Sequence, residues 1–192
     1  LEQVYMTTKL EKDATFFLPF NMGNGEGVNA GAGNPIFEDK YSVFYMWEDV
    51  LTKDSILEII SKFMFIEVKE KEDEATGKKK IKENIIFPRF HQRDVLHKIL
   101  ADVYENGSTQ NYLIQHSAGS GKTNSIAWLA YRLSSLHDAD NKIIYDNIII
   151  VTDRVVVDRQ LQSAIMGMEH KSGLIKVMDD KCNSSDLAIA LD

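Results

Sequence analysis

A run of small residues stands directly before a lysine and a threonine near the middle of the chain. Residues Ser117 to Gly121 separate an apolar stretch from a helical pattern, and Lys122 and Thr123 begin that pattern. Glycines let successive backbone N–H groups turn toward one point, and the start of the following helix adds its positive end. The segment therefore predicts a loop that binds an anion, with phosphate groups as its natural ligand.

The side chains at the end of this loop have the chemistry that a nucleoside triphosphate requires. The Lys122 ammonium can reach the β- and γ-phosphates as the catalytic residue, and the Thr123 hydroxyl can ligate Mg²⁺. The general motif begins with a glycine where this chain has His116. ATP and Mg²⁺ are the predicted cofactors. The predicted cofactor-binding residues of the loop are Ser117, Ala118, Gly119, Ser120, Gly121, Lys122 and Thr123.

A second candidate region lies upstream, in "FPRFHQRD". Gln92 stands 30 residues before Lys122, where a helix is predicted to begin. Its amide can donate to and accept from the edge of an adenine base, while Arg89 or Phe90 could contact the base or the ribose. A glutamine at a helix start is also commonly an ordinary surface residue, so both interpretations stay open.

The elements around the loop are predicted to alternate between strands and helices. Apolar segments at 111–115, 147–153 and 173–179 are typical of strands, and "VVVDRQLQSAI" and "SSDLAIAL" of helices. This alternation indicates an α/β fold, with a parallel sheet and helices on its faces. The loop would join one such strand to a helix, which is the arrangement of a partial RecA-like P-loop domain.

Two amphipathic helices flank the loop in this prediction. The first spans "HQRDVLHKILADVYENG" and ends near Gly107. Its apolar side is Val95, Leu96, Ile99, Leu100 and Val103. The second follows the loop, with an inward face of Ile126, Leu129, Ala130 and Leu133.

The first part of the chain has a different pattern. Short β-prone stretches, a helix near residue 56 and two charged strands near 65–87 predict a smaller α+β region over residues 1–86. The turn of the charged hairpin is predicted at Ala75–Lys78. Residues 87–192 would then be the N-terminal part of the α/β domain described above.

Composition limits the class of protein. The 192 residues are 44% hydrophobic and 27% charged, which is typical of a globular chain. The one cysteine, Cys182, excludes an internal disulfide and favours a reducing cytoplasm. No apolar run predicts a membrane span or a membrane partner. The net charge of −7 gives no support for DNA binding by overall charge, so such contacts would have to be local.

Three sequence blocks resemble the first motor domain of the restriction subunit of type I restriction–modification enzymes. They are "FPRFHQRDVLHKI", "YLIQHSAGSGKTNSIAWLAYRL" and "IIIVTDRVVVDRQL". Earlier blocks, "VYMTTKLEKDATFFLPFN" and "YMWEDVLTKDSILEII", resemble the stretch that joins the nuclease domain of that subunit to its motor. That family has a similar His-Ser-Ala before its glycines, which accounts for His116.

The resemblance implies a function for the whole protein and for several residues. The parent subunit would hydrolyse ATP to translocate double-stranded DNA and would cut it at non-specific positions, together with modification and specificity subunits. Gln92 would read adenine. Thr152 to Arg154 would lie near the DNA, and Arg154 and Arg159 would contact phosphates, although arginines on a solvated helix are an equally ordinary reading.

The resemblance also implies that the chain is a piece of a longer protein. The nuclease motif is expected before Leu1, and the paired acids and second motor domain after Asp192. We therefore expect the 192-residue chain to bind ATP weakly, if at all, and not to hydrolyse it. Two alternatives remain, a small phosphotransferase with Asp153 as the metal-holding acid, and a non-enzymatic nucleotide switch.

Overall fold

The structure is a computed structural model that describes residues 1–25, 31–72, 79–168, 175–178 and 181–191. Its strands are β1 (Tyr5–Met6), β2 (Leu18–Pro19), β3 (Phe65–Glu72) and β4 (Lys79–Ile86). Its α-helices are α1 (Lys53–Glu58), α2 (Phe90–Asn106), α3 (Lys122–Leu133), α4 (Val155–Met166) and α5 (Ser184–Leu191). Two π-helical turns, Met46–Val50 and Ile59–Phe63, flank α1.

The strands form two antiparallel pairs. β1 pairs with β2, and β3 pairs with β4 in a hairpin whose register runs from Phe65 opposite Ile86 to Glu72 opposite Lys79. The predicted turn at residues 75–78 lies outside the described residues. Because alternate residues of a strand face opposite sides, Phe65 turns into the protein whereas its neighbour Ile66 is 55% exposed.

The largest apolar core forms around Trp128. Its indole ring is fully buried and packs edge-on against Phe63 and Phe65, and its N–H donates to the Phe63 carbonyl at 2.8 Å. Leu96 of α2 belongs to the same cluster. The core therefore joins residues from before and after residue 86.

The helices around the loop begin and end close to their predicted positions, and Leu129 and Leu133 of α3 pack against the core as predicted, but one residue of that predicted face is wrong. α2 ends at Gly107, whose φ of 70° suits a glycine, and its apolar side is buried as expected. In α3 the predicted inward residue Ile126 is 39% exposed, and Ala127 and Trp128 are buried instead. The helix turns its largest apolar side chain toward Phe63 and Phe65.

A second apolar cluster lies in the N-terminal region. Phe20, Tyr45 and Ile59 are buried there, and Phe87 and Phe90 pack against them from the start of the following region. The Tyr45 hydroxyl donates to the Phe20 carbonyl, which satisfies the one polar group of this buried ring. The N-terminal region is thus packed directly onto the first turn of α2.

The predicted parallel sheet is not formed among the described residues. Segments 111–115 and 147–153 lie in extended loops without strand pairing, and so do residues 175–178 of the third predicted strand. Leu113 is 93% exposed and Val151 is 88% exposed. A strand needs a neighbouring backbone as well as apolar side chains, and these segments lack that neighbour here.

Ion pairs connect the N-terminal region to α2 and α3. Arg93 is 5% exposed and donates to both carboxylate oxygens of Asp49, at 2.7 and 3.0 Å, and to the Ser55 hydroxyl at 2.8 Å. Glu58 accepts from His97 and from Arg132, each at 2.8 Å. Burial by itself would raise the pKa of Glu58, but these two partners outweigh it and lower the pKa from 4.5 to about 2.

Across the described residues, no helix is both long and apolar enough to cross a membrane.

Candidate nucleotide site

The small-residue loop takes the backbone shape that its glycines permit. Gly119 and Gly121 have φ values of 73° and 85°, in the left-handed region that side chains disfavour. Gly121 is the N-cap of α3, so the helix begins at Lys122, directly after the loop. The glycines therefore set the path that carries the chain from an extended segment into a helix.

The backbone N–H groups of this loop are available to a ligand. One loop N–H, that of Ser120, donates to the Ser117 carbonyl at 3.3 Å. Those of Gly119, Gly121, Lys122 and Thr123 have no acceptor in the described part of the chain. Unpaired N–H groups at a helix N-terminus attract anions, and a phosphate chain offers them oxygen acceptors.

The ammonium of Lys122 lies against the same loop. It donates to the carbonyls of His116, at 2.9 Å, and Ser117, at 2.8 Å, and its side chain is exposed to solvent. These bonds hold the positive charge over the loop while leaving it open to exchange carbonyl acceptors for phosphate oxygens. Thr123 is half-buried in the first turn of α3, next in sequence to this lysine.

A buried hydroxyl supports the same interpretation. Ser120 is 6% exposed, and its Oγ has no hydrogen-bond partner among the described residues. An unpartnered buried hydroxyl is costly unless a bound molecule or water satisfies it. The loop therefore presents a lysine, free N–H groups and an unsatisfied hydroxyl within a few residues of each other, a set that fits phosphate oxygens.

The side chain of Gln92 holds the loop in place through two hydrogen bonds. It is 3% exposed, its Oε1 accepts from the Arg89 N–H at 2.8 Å, and its Nε2 donates to the Gly121 carbonyl at 2.8 Å. A Cβ on Gly121 would lie 2.5 Å from that nitrogen. A side chain at residue 121 would therefore have to displace the Gln92 amide, and the φ of Gly121 disfavours it as well. In this structure both ends of the amide are bonded to backbone groups, so the amide positions the loop.

Two histidines complete the loop surroundings. The rings of His91 and His116 meet edge-on with centroids 4.8 Å apart, and His91 Nε2 lies 3.1 Å from the Ser120 carbonyl, to which it can donate. Burial lowers the pKa of His91 below 6.5, with the neighbouring His116 adding to the effect. Burial, and then the charge of Lys122, likewise lowers the pKa of His116.

A cavity of about 520 Å³ adjoins the loop on the Gln92 side. Arg89, Gln92, Gly121 and Asn124 form the wall that it shares with the loop. The opposite wall comes from residues between Met6 and Leu18 and from residues 82–87. Its volume is in the range of small-molecule sites, roughly 300 to 1,000 Å³.

The predicted DNA-contacting residues lie away from the loop in sequence, at the start of α4. Thr152 is half-buried, and Arg154 is the N-cap residue, with an exposed side chain whose Nε lies 3.6 Å from Asp153. Arg159 is exposed on the helix. Arg154 precedes the helix with extended backbone, and Arg159 lies five residues later, in the second turn of α4.

Among the described residues, a metal ion could be held only by single side chains and not by a cluster. The described part of the chain contains no group of three or more His, Cys, Asp or Glu side chains that could hold a metal ion. Thr123 could contribute one oxygen to Mg²⁺, with the remaining ligands coming from phosphates and water. Asp153 has a side chain that is 84% exposed and is paired with Arg154.

Several residues near the site were missed by the sequence analysis. No role was predicted for His91, Asn124, Phe16 or Asn84. Asn124 directly follows the motif in sequence and could have been found from that position. Phe16 and Asn84 come from segments that are distant in sequence, and no local pattern connects them with the loop.

Comparison with known proteins agrees with this geometry. The family model of the SWI2/SNF2 ATPase matches residues 91–187, which is just over half of the chain. The match begins at the first turn of α2 and includes the whole loop. No curated protein and no solved structure gives a significant match. The chain therefore belongs to the SWI2/SNF2 ATPase family, and so to the helicase-like ATPases.

Proposed function

We propose that the chain is the ATP-binding part of the restriction subunit of a type I restriction–modification enzyme. The observation that carries the nucleotide part is the set of unpaired N–H groups from Gly119 to Thr123 beside the Lys122 ammonium. An ATP–Mg²⁺ complex would place its phosphates on those groups. Lys122 would contact the β- and γ-phosphates, and Thr123 would supply one oxygen to Mg²⁺.

The restriction subunit is favoured over other helicase-like ATPases by the sequence blocks quoted above. Several of these blocks are specific to that family, which also has a similar His-Ser-Ala before its glycines. The parent protein would act in the cytoplasm on double-stranded DNA, with modification and specificity subunits as partners. Thr152, Arg154 and Arg159 are our candidates for contacts to DNA phosphates.

The same proposal includes the RecA-like sheet. Segments 111–115 and 147–153 contain apolar side chains that are exposed in this structure, such as Leu113 and Val151. Inner strands of a parallel sheet have such side chains, and they stay exposed until neighbouring strands and helices cover them. In the working motor they would pair as parallel strands. The loop would then lie at the carboxyl edge of that sheet, where ligands of such folds bind.

The nucleotide part is tested by titrating the 192-residue chain with fluorescent ATP and Mg²⁺. Because the loop N–H groups and the Lys122 ammonium are already in place, the structure leads us to expect binding that is weak but saturable, without hydrolysis. Lys122→Ala removes the charge on the phosphates and should weaken binding at least about tenfold, because charge-assisted hydrogen bonds contribute about 1.5–3 kcal/mol. Lys142→Ala, at an exposed lysine in a turn, is the matched control and should bind as the unmodified chain does.

Two results would contradict the proposal. One is an ATP affinity that Lys122→Ala leaves unchanged, because the loop would then not hold the phosphates. The other is DNA-stimulated hydrolysis by the chain alone, which would contradict the motif assignment. The restriction part is tested in the whole protein with its two partner subunits, where Lys122→Ala should abolish ATP-dependent DNA translocation and cleavage.

A further inference from the structure

The cavity beside the loop has two walls of different origin. One wall, formed by Gln92, Gly121 and Asn124, belongs to the region that the family model matches. The other is supplied by the N-terminal region and by strand β4, which lie outside that match. The cavity is therefore a place where the region before residue 87 meets the nucleotide site.

The position of the cavity suits the nucleoside half of a nucleotide. It shares Gly121 with the phosphate loop, whereas Lys122 and Thr123 do not line it. A triphosphate held by those two residues and the loop N–H groups would extend its nucleoside out of the loop. The neighbouring cavity, at about 520 Å³, has room for a base and a ribose.

The lining has the mixed character that a base requires. Phe16 offers an aromatic face, its side chain is 74% exposed, and it belongs to neither apolar cluster. Asn84 and Asn124 also line the cavity, and their side-chain amides can both donate and accept. Aromatic rings stack on every base, and amide groups distinguish base edges.

We propose that the base and ribose of the bound nucleotide occupy this cavity, with Phe16 as the stacking residue. Residues from Met6 to Leu18 and from Lys82 to Phe87 thus complete a nucleotide site that the family-matched region contains only in part. This inference rests on the proposed function, because it requires the phosphates to lie on the loop. It makes the N-terminal region a determinant of nucleotide affinity.

The first experiment compares two adjacent phenylalanines in the 192-residue chain. Phe16→Ala removes the ring that lines the cavity, and Phe17→Ala removes an exposed ring that does not. Each variant is titrated with ATP–Mg²⁺ and with tripolyphosphate. We expect Phe16→Ala to weaken ATP at least about fivefold, as loss of one stacking contact would. Tripolyphosphate affinity should stay unchanged, and Phe17→Ala should alter neither.

The outcomes separate this inference from the function on which it rests. If Phe16→Ala leaves ATP affinity unchanged, or weakens ATP and tripolyphosphate equally, the cavity does not hold the base although the loop still binds phosphate. If the unmodified chain binds neither ligand, the proposed function fails and the inference fails with it. A circular-dichroism melt of each variant checks that the fold is retained.

A second measurement needs no substitution. Irradiating the chain with 8-azido-ATP attaches the base to whatever lies beside it, and mass spectrometry of the peptides identifies the attachment site. We expect adducts in peptides that contain residues 6–18 or 82–87, lost when excess ATP or tripolyphosphate is added. Competable adducts confined to other parts of the chain would overturn the inference.

Discussion

At the phosphate loop, the charge of Lys122 disfavours protonation of the neighbouring His116. Lys122 stands against the His116 carbonyl, and the His116 ring meets that of His91. The nearby carboxylate of Asp94 acts on His116 in the opposite sense. The His116 ring is neutral in the folded protein over a wider pH range than a free histidine, because burial and the Lys122 ammonium both lower its pKa.

A bound polyphosphate should reverse this effect on His116. Its negative charge would offset the ammonium and favour the imidazolium, so the pKa of His116 should rise when ligand binds. The complex then takes up a proton, and affinity should increase as pH falls below the ordinary value of 6.5. Calorimetry in buffers of different ionisation enthalpy measures this uptake. His116→Asn should remove most of it, and uptake that persists in that variant would contradict the assignment.

Gly121 shows how several requirements meet at one residue. Its φ of 85° disfavours a side chain, its carbonyl accepts from Gln92, and a Cβ would meet that amide at 2.5 Å. The motif predicted a glycine here for close approach of the phosphates. The structure adds a contact with α2 that no local pattern indicated.

At the scale of elements, Glu58 joins three helices. It lies at the end of α1 and accepts hydrogen bonds from His97 on α2 and Arg132 on α3. Arg93 lies 3.9 Å away and is itself held by Asp49. The helices on either side of the phosphate loop are thereby attached to the N-terminal region by charged side chains.

Replacing Glu58 with glutamine should reduce stability and alter its pH dependence. We expect Glu58→Gln to lower the free energy of unfolding by about 1.5–3 kcal/mol at pH 7, the usual value of hydrogen bonds to a charged group. Because the folded state lowers the pKa of Glu58 to about 2, its contribution is complete above pH 4.5 and is lost as pH falls toward 2. Urea denaturation at several pH values measures both effects.

The control for this prediction is Glu48→Gln, at an exposed glutamate on the neighbouring π-helical turn. It should leave the free energy of unfolding nearly unchanged. Equal stability of the Glu58→Gln chain and the unmodified chain at pH 7 would show that the three-helix ion pairs contribute nothing. A loss of stability in Glu48→Gln of the same size would show a general charge effect instead.

At the scale of the whole molecule, the core extends across the predicted boundary near residue 86. Trp128 is 0% exposed because Phe63 and Phe65 cover it. Residues 87–192 by themselves would lack both rings and the Phe63 carbonyl that accepts from the indole N–H. We therefore expect a chain of residues 87–192 alone to lack a stable core.

This expectation can be measured by fluorescence, because the chain has two tryptophans. Trp47→Phe in the full chain leaves Trp128 as the reporter, and residues 87–192 contain Trp128 alone. The full-length variant should emit at short wavelength and unfold cooperatively in urea. The shorter chain should emit at longer wavelength and unfold without a sharp transition. Short-wavelength emission and cooperative unfolding of residues 87–192 would show an independent domain.

The sequence by itself determined the features that depend on near neighbours. The apolar repeat and the glycine that follows it placed α2 within a residue or two of Phe90–Asn106, and the small-residue run placed the loop before Lys122. Helices and glycine turns form through contacts between residues a few positions apart, so a local pattern is sufficient to predict them.

The tertiary structure alone decided which surfaces meet. It turned Ala127 and Trp128 rather than Ile126 inward, and it brought the segment around Phe16 to the flank of the loop. It also left residues 111–115 unpaired despite their strand-like composition. A local pattern states which side of an element is apolar. It cannot state which distant element covers that side, because that choice depends on competing long-range contacts and their chain-entropy cost.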